Sequence, residues 1–211
     1  MNDLAVPPTD TTPSAESKQT NTDELPVSPV ARRIQDALAR YGATSLVCVQ
    51  LDPLRNRANR WVELAEELST LRDETVLLVD GDIRRRQLTA ELGLQGEAGL
   101  AEYLTIGRPA TSVVRPRVRP RLDLLPSGRG WLGDSKRLPA SIAELLHRIG
   151  RHRLVLVMAG PPEDPVAKAF QQCCHATLLV VSSGITERSR AEGALHESVR
   201  AGARIAGSLV A

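Results

Sequence analysis

The chain has 211 residues, of which 42% are hydrophobic and 25% charged, enough apolar material for one sizeable core and so for a single folded domain. Aromatic residues make up only 2%, so that core must be aliphatic. No stretch approaches the ~18 apolar residues of a membrane span. No basic-then-apolar leader opens the chain, and no dense basic face marks a nucleic-acid binder. The expectation is a cytoplasmic protein with no nucleic-acid partner. Formal charge is +2 but uneven. Residues 1–28 carry five acids against Lys18, a net −4, which leaves +6 on the rest.

In chain order, residues 1–27 are rich in Thr, Ser, Pro, Asp and Glu, and their composition predicts a disordered acidic tail. Residues 28–211 form the expected domain. Ser28-Pro29 reads as N-cap and first position of a helix with Val30, Ile34, Leu38 and Tyr41 on one face and Gly42 closing it. Ser45–Gln50 reads as the first strand. Trp61, Leu64, Ala65, Leu68 and Leu71 stripe the next helix. Thr75–Asp80 is the second strand. Arg115–Arg121 alternates arginine with stiff residues, so it is expected extended and unpaired, either as an exposed approach to a Leu122–Leu125 strand or as a contact for an acidic or phosphorylated partner. A helix over Pro139–Gly150, a strand over Arg153–Met158 and a helix marked by Val166, Ala169, Phe170 and Cys173 follow. Thr177–Val181 is a strand, Thr186 caps a helix through Val199, and Arg204–Val210 is the last strand. This alternation predicts an α/β fold: a doubly wound, mostly parallel sheet of about six strands with helices on both faces. Cys48, Cys173 and Cys174 give no disulfide framework and read as small buried residues, so no metal site is expected.

The chemistry concentrates at Val76-Leu77-Leu78-Val79-Asp80-Gly81-Asp82-Ile83-Arg84. Four apolar residues run into Asp-x-Asp-x-Arg, the way a buried parallel strand delivers two carboxylates to the carboxyl edge of a sheet. The segment resembles the second nucleotide motif (Walker A′) of the bacterial tyrosine kinases, or BY-kinases, of exopolysaccharide synthesis, which are deviant-Walker P-loop ATPases. Gly99–Gly107, Leu122–Gly128, Pro161-Pro162 and the last two strands resemble that family in order and spacing, so the likeness covers roughly residues 28–211. It implies a P-loop NTPase-like fold, with Asp80, Asp82 and Arg84 at a nucleotide site.

The same comparison exposes losses. Pro53–Asn59 falls where the family has its phosphate loop, with Leu54 and Asn56 for glycines, Arg57 for the lysine and Ala58 for the metal-binding hydroxyl. Arg57 keeps the charge in a planar fork. In Leu156-Val157-Met158-Ala159-Gly160-Pro161-Pro162, Ala159 takes the place of the Walker B aspartate. The resemblance therefore implies a degenerate domain with no catalytic residues. It would bind a membrane chain-length regulator or another exopolysaccharide-machinery protein, and reach the membrane through it. No cofactor is expected. Two other readings stay open: an active tyrosine kinase or ATPase using ATP and Mg²⁺ through an unusual loop, and a pseudo-ATPase of the septum-site or partition type. In BY-kinases the helix matching Ser28–Tyr41 takes part in subunit contacts, which implies a homo-oligomer; a helix packed only on its own sheet is the other option. Arg84 matches the family's motif arginine, and Arg85-Arg86 reads as a solvated face.

Overall fold

The computed structural model describes residues 27–52, 58–130 and 137–210. In chain order the elements are α1 (Pro29–Arg40), β1 (Ser45–Gln50), α2 (Ala58–Arg72), β2 (Val76–Asp80), α3 (Gln87–Glu91), α4 (Leu100–Ile106), α5 (Ala110–Val113), β3 (Arg115–Arg119), β4 (Leu122–Leu125), α6 (Leu138–Ile149), β5 (Leu154–Ala159), α7 (Pro165–Cys173), β6 (Ala176–Val181), α8 (Arg188–Arg200) and β7 (Ile205–Val210). They build one seven-stranded sheet in the order β3-β4-β2-β5-β1-β6-β7, parallel throughout except for β3 against β4.

Why the sheet is buried on both faces follows from its strands. In β1, Val47 and Val49 point to one apolar layer while Leu46 and Cys48 point to the other. In β2, Leu77 and Val79 alternate with Val76 and Leu78 in the same way. Such continuous apolar runs need helices on both sides. The first layer is completed by α4, α5, α6 and α7, with Phe170, the sole phenylalanine, fully buried in it. The second is completed by α1 and α2.

Three expectations are corrected here. The sheet has seven strands, because Arg115–Arg119 pairs antiparallel with β4. An edge strand tolerates Pro116 because only one side of its backbone is paired, and the Arg117 N–H donates instead to Asp123 Oδ1 at 2.8 Å. On α1 the buried face is Ala31, Ile34 and Leu38, while Val30 and Tyr41 are exposed. Ile34 and Leu38 of the expected stripe are on the buried face, and only its two ends miss it. Thr186 does not cap α8, whose N-cap is Glu187; its hydroxyl accepts from Ser182 N at 2.7 Å and donates to Asp52. Ser28 does cap α1, accepting from Ala31 N at 3.2 Å. No helix among the described residues is long and apolar enough to cross a membrane.

Candidate functional site

The candidate site lies at the carboxyl edge, where β1, β2, β4 and β5 end side by side. Asp80 closes β2 and is 1% exposed. Its Oδ2 accepts from Thr89 N at 2.8 Å and Thr89 Oγ1 at 2.6 Å. Thr89 Oγ1 in turn accepts from Ser127 N at 2.8 Å and lies 3.0 Å from Ser127 Oγ. Asp80, Thr89 and Ser127 thus form one buried bracket joining β2, α3 and the segment after β4. Burial pushes the Asp80 carboxyl up to about 6, against the two Thr89 bonds that pull it down.

Gly81 follows where space is tight. Its N–H donates to Met158 O at 2.7 Å, and a Cβ would stand 3.0 Å from Val157 Cγ1 and 3.1 Å from Met158 O. Asp82 is also buried and also raised, first by burial, although the Arg85 N–H at 3.0 Å and the Arg85 guanidinium draw it back. Arg85 Nε lies 3.9 Å from Asp82 Oδ2, and Arg85 Nη1 is buried with no hydrogen-bond partner among the described residues. Arg86 adopts φ 53° and is held there by bonds to Ile83 O, Arg129 O and Gly130 O. Arg86 is therefore structural and the Arg85 side chain is half-buried against Asp82, which corrects the reading of a solvated face.

The Arg84 guanidinium is ion-paired with neither aspartate. It is exposed and pairs at 3.2 Å with Asp164, whose carboxylate caps α7 through Val166 N and Ala167 N. Arg57, with Leu54 and Asn56, lies outside the described residues; Ala58 opens α2. Ala159 ends β5 fully buried, in register with Val49 of β1. Among the described residues no cluster of three or more His, Cys, Asp or Glu could hold a metal ion.

Two further groups shape the edge. Asp52, just beyond β1, takes the Thr186 hydroxyl and lies 3.8 Å from Arg190, which also donates to Leu51 O. Glu102 on α4 accepts from the backbone N–H groups of Gly99, Arg129 and Gly130 at 2.7, 2.9 and 3.0 Å. Burial raises its carboxyl, but these bonds outweigh it and the net shift is downward. Gly99 is required: a Cβ would meet Pro126 O at 2.0 Å. Sequence reasoning missed Thr89, Ser127, Asp52 and Glu102. Only Glu102 carried a signal, as an acid three residues into a helix that opens on a glycine.

The arginines of Arg115–Arg121 are largely satisfied within the chain. Arg115 pairs with Glu97, Arg119 with Glu66 at 3.9 Å and Arg121 with Asp73 at 2.5 Å.

No family model matches the chain, and no curated protein matches its sequence. Its α/β fold is nonetheless similar to that of solved kinase domains of bacterial tyrosine kinases. The kinase domain of the Escherichia coli tyrosine kinase ETK superposes with a TM-score of 0.72 at 19% identity, over 85% of this chain and 73% of that chain. The BceF tyrosine kinase domain gives 0.72 at 22% identity, over 86% and 74%. A plasmid partition protein from Borrelia burgdorferi gives 0.64 at 14% identity, over 80% and 78%. At such identities the likeness is one of fold.

Proposed function

We propose that the chain is a BY-kinase-like P-loop domain without phosphoryl transfer, acting as a binding or regulatory partner in exopolysaccharide assembly or export. Ala159 carries the reading. Where the resemblance calls for a carboxylate that supports the metal, a buried methyl group stands, and a methyl offers no oxygen to a hard cation. Asp80 and Asp82 support it further. Asp80 Oδ2 is taken up by Thr89 and Asp82 Oδ1 by the Arg85 N–H, so each carboxylate already spends one oxygen within the chain. These residues do not fit a magnesium–nucleotide, so no catalytic step is assigned to them and no cofactor is needed. The partner is a membrane chain-length regulator or another exopolysaccharide-machinery protein, which would also bring the domain to the membrane. The exposed side of α1, with Val30 and Tyr41, is the surface for it or for a second copy.

Titration calorimetry with ATP and Mg²⁺ tests this. The expected dissociation constant is weaker than ~100 μM, with little dependence on Mg²⁺. Low-micromolar, Mg²⁺-dependent binding overturns it. In that event the second reading, an ATPase or kinase with an unusual loop, takes over. Arg85 Nη1 favours that second reading, because a buried, unpartnered guanidinium nitrogen suits a phosphate oxygen.

A further inference from the structure

The sheet face opposite α1 and α2 carries a trench. Two hollows, of about 900 and about 560 Å³, share Pro109, Ala110 and Arg148 and so run together along α5 and α6. Arg108 and Arg137 line one end, Arg151 and Arg153 the other. Two acids line it as well, and both are engaged: Glu144 pairs with Arg148 at 2.7 Å and Asp123 with Arg153 at 2.7 Å. Arg108, Arg137 and Arg151 are left without a carboxylate among the described residues; Arg151 reaches only His147, at 3.3 Å. The trench is thus an elongated, open, positively charged surface, unlike β3, where Arg115 and Arg119 are paired within the chain.

Charge of the opposite sign belongs to the same chain. Residues 1–26 hold Asp3, Asp10, Glu16, Asp23 and Glu24 against Lys18. Their point of attachment is set by Ser28, whose hydroxyl donates to Glu67 at 2.5 Å. The adjacent Glu66 holds Arg119 of β3, so the width of α2 separates the start of α1 from the β3 edge. Pro116 of β3 is itself part of the trench wall. A run of 26 residues can span up to ~85 Å, against a domain diameter on the order of 40 Å, so length is no obstacle. We infer that the acidic N-terminal segment, residues 1–26, docks in the trench lined by Arg108, Arg137 and Arg151, and competes there with acidic groups of other molecules. The inference is independent of whether the domain turns over nucleotide.

Covalent attachment gives the segment an effective concentration on the order of 1 mM, so an intrinsic constant of ~0.1 mM would dock about nine-tenths of it. The test uses the full chain. Trypsin cleavage after Lys18, followed by mass spectrometry at low salt, is compared with the full-length triple variant Arg108→Ser/Arg137→Ser/Arg151→Ser. Cleavage should be about tenfold slower in the unaltered chain, and the difference should vanish at ~1 M salt, where the Debye length is ~3 Å. A second variant leaves the domain untouched: Asp3→Asn, Asp10→Asn, Glu16→Gln, Asp23→Asn and Glu24→Gln together. Hydrogen exchange over residues 106–114 and 137–151 should quicken in it. Equal cleavage rates overturn the inference, and so does unchanged exchange in the second variant, which would leave the trench to an outside partner.

Discussion

Asp80 should make the folded chain lose stability as the pH rises from the acid side. Its carboxyl is raised from 3.8 to about 6, chiefly by burial. The folded state therefore binds this proton more tightly than the unfolded chain does. The resulting stabilisation is fully present below about pH 3.8 and is lost as the pH rises through about 6. The whole shift, about two pKa units, corresponds to about 3 kcal/mol; between about pH 4.5 and about pH 7.5 the expected loss is about 2 kcal/mol. Asp82 shifts the same way and Glu102 the opposite way, so wild type alone does not isolate the effect. Asp80→Asn does. The amide oxygen still accepts from Thr89, but the side chain no longer titrates. Urea unfolding followed by circular dichroism across this range, for both proteins, gives the difference in stability at each pH. Wild type should lose about 2 kcal/mol relative to Asp80→Asn between the two ends. Parallel pH profiles would refute the assignment of the burden to this carboxyl.

Thr89→Val keeps the shape but removes the hydroxyl, which takes one bond from Asp80 and strands the buried Ser127 N–H; chemical denaturation should show a loss of about 2–4 kcal/mol. It should also push the Asp80 titration to higher pH, read from the same profiles. Gly99→Ala drives a methyl into Pro126 O, so little folded protein should be recovered, while Gly96→Ala, where nothing lies within 4 Å, should fold normally. Phe170→Ala empties the centre of one apolar layer and should cost about 3–5 kcal/mol in the same denaturation assay. Burial raises all three thiols, Cys48 to about 12, and only Cys173 is half-exposed. Alkylation of the native chain should therefore be confined to Cys173, and denaturant should open all three.

The strands were legible because their apolar runs are local: Val76–Val79 and Leu154–Val157 announce two-sided burial without any knowledge of neighbours. The positions of Asp80, Asp82 and Ala159 at strand ends followed from the same runs. The partners of these residues were not legible. Asp80 is satisfied by a threonine nine residues away on α3, a five-residue helix with little periodicity to reveal it. Arg84 was expected beside the aspartates and instead reaches the cap of α7, a contact that depends on how β5 and α7 are placed. In Arg115–Arg121 the prolines argued against pairing. Pairing occurs because the strand is an edge and Asp123 takes the Arg117 N–H. Each miss is a tertiary contact overriding a local preference.

Glu102 has a consequence for how the segment around Gly128 is set. Its carboxylate fills the cluster of N–H groups from Gly99, Arg129 and Gly130, the kind of concavity that elsewhere collects a free anion from solution. Here the counter-ion is built into the polypeptide, one equivalent per molecule, and no dialysis or dilution removes it. The anion that gathers these N–H groups is therefore present in every copy of the chain, whatever salts surround it.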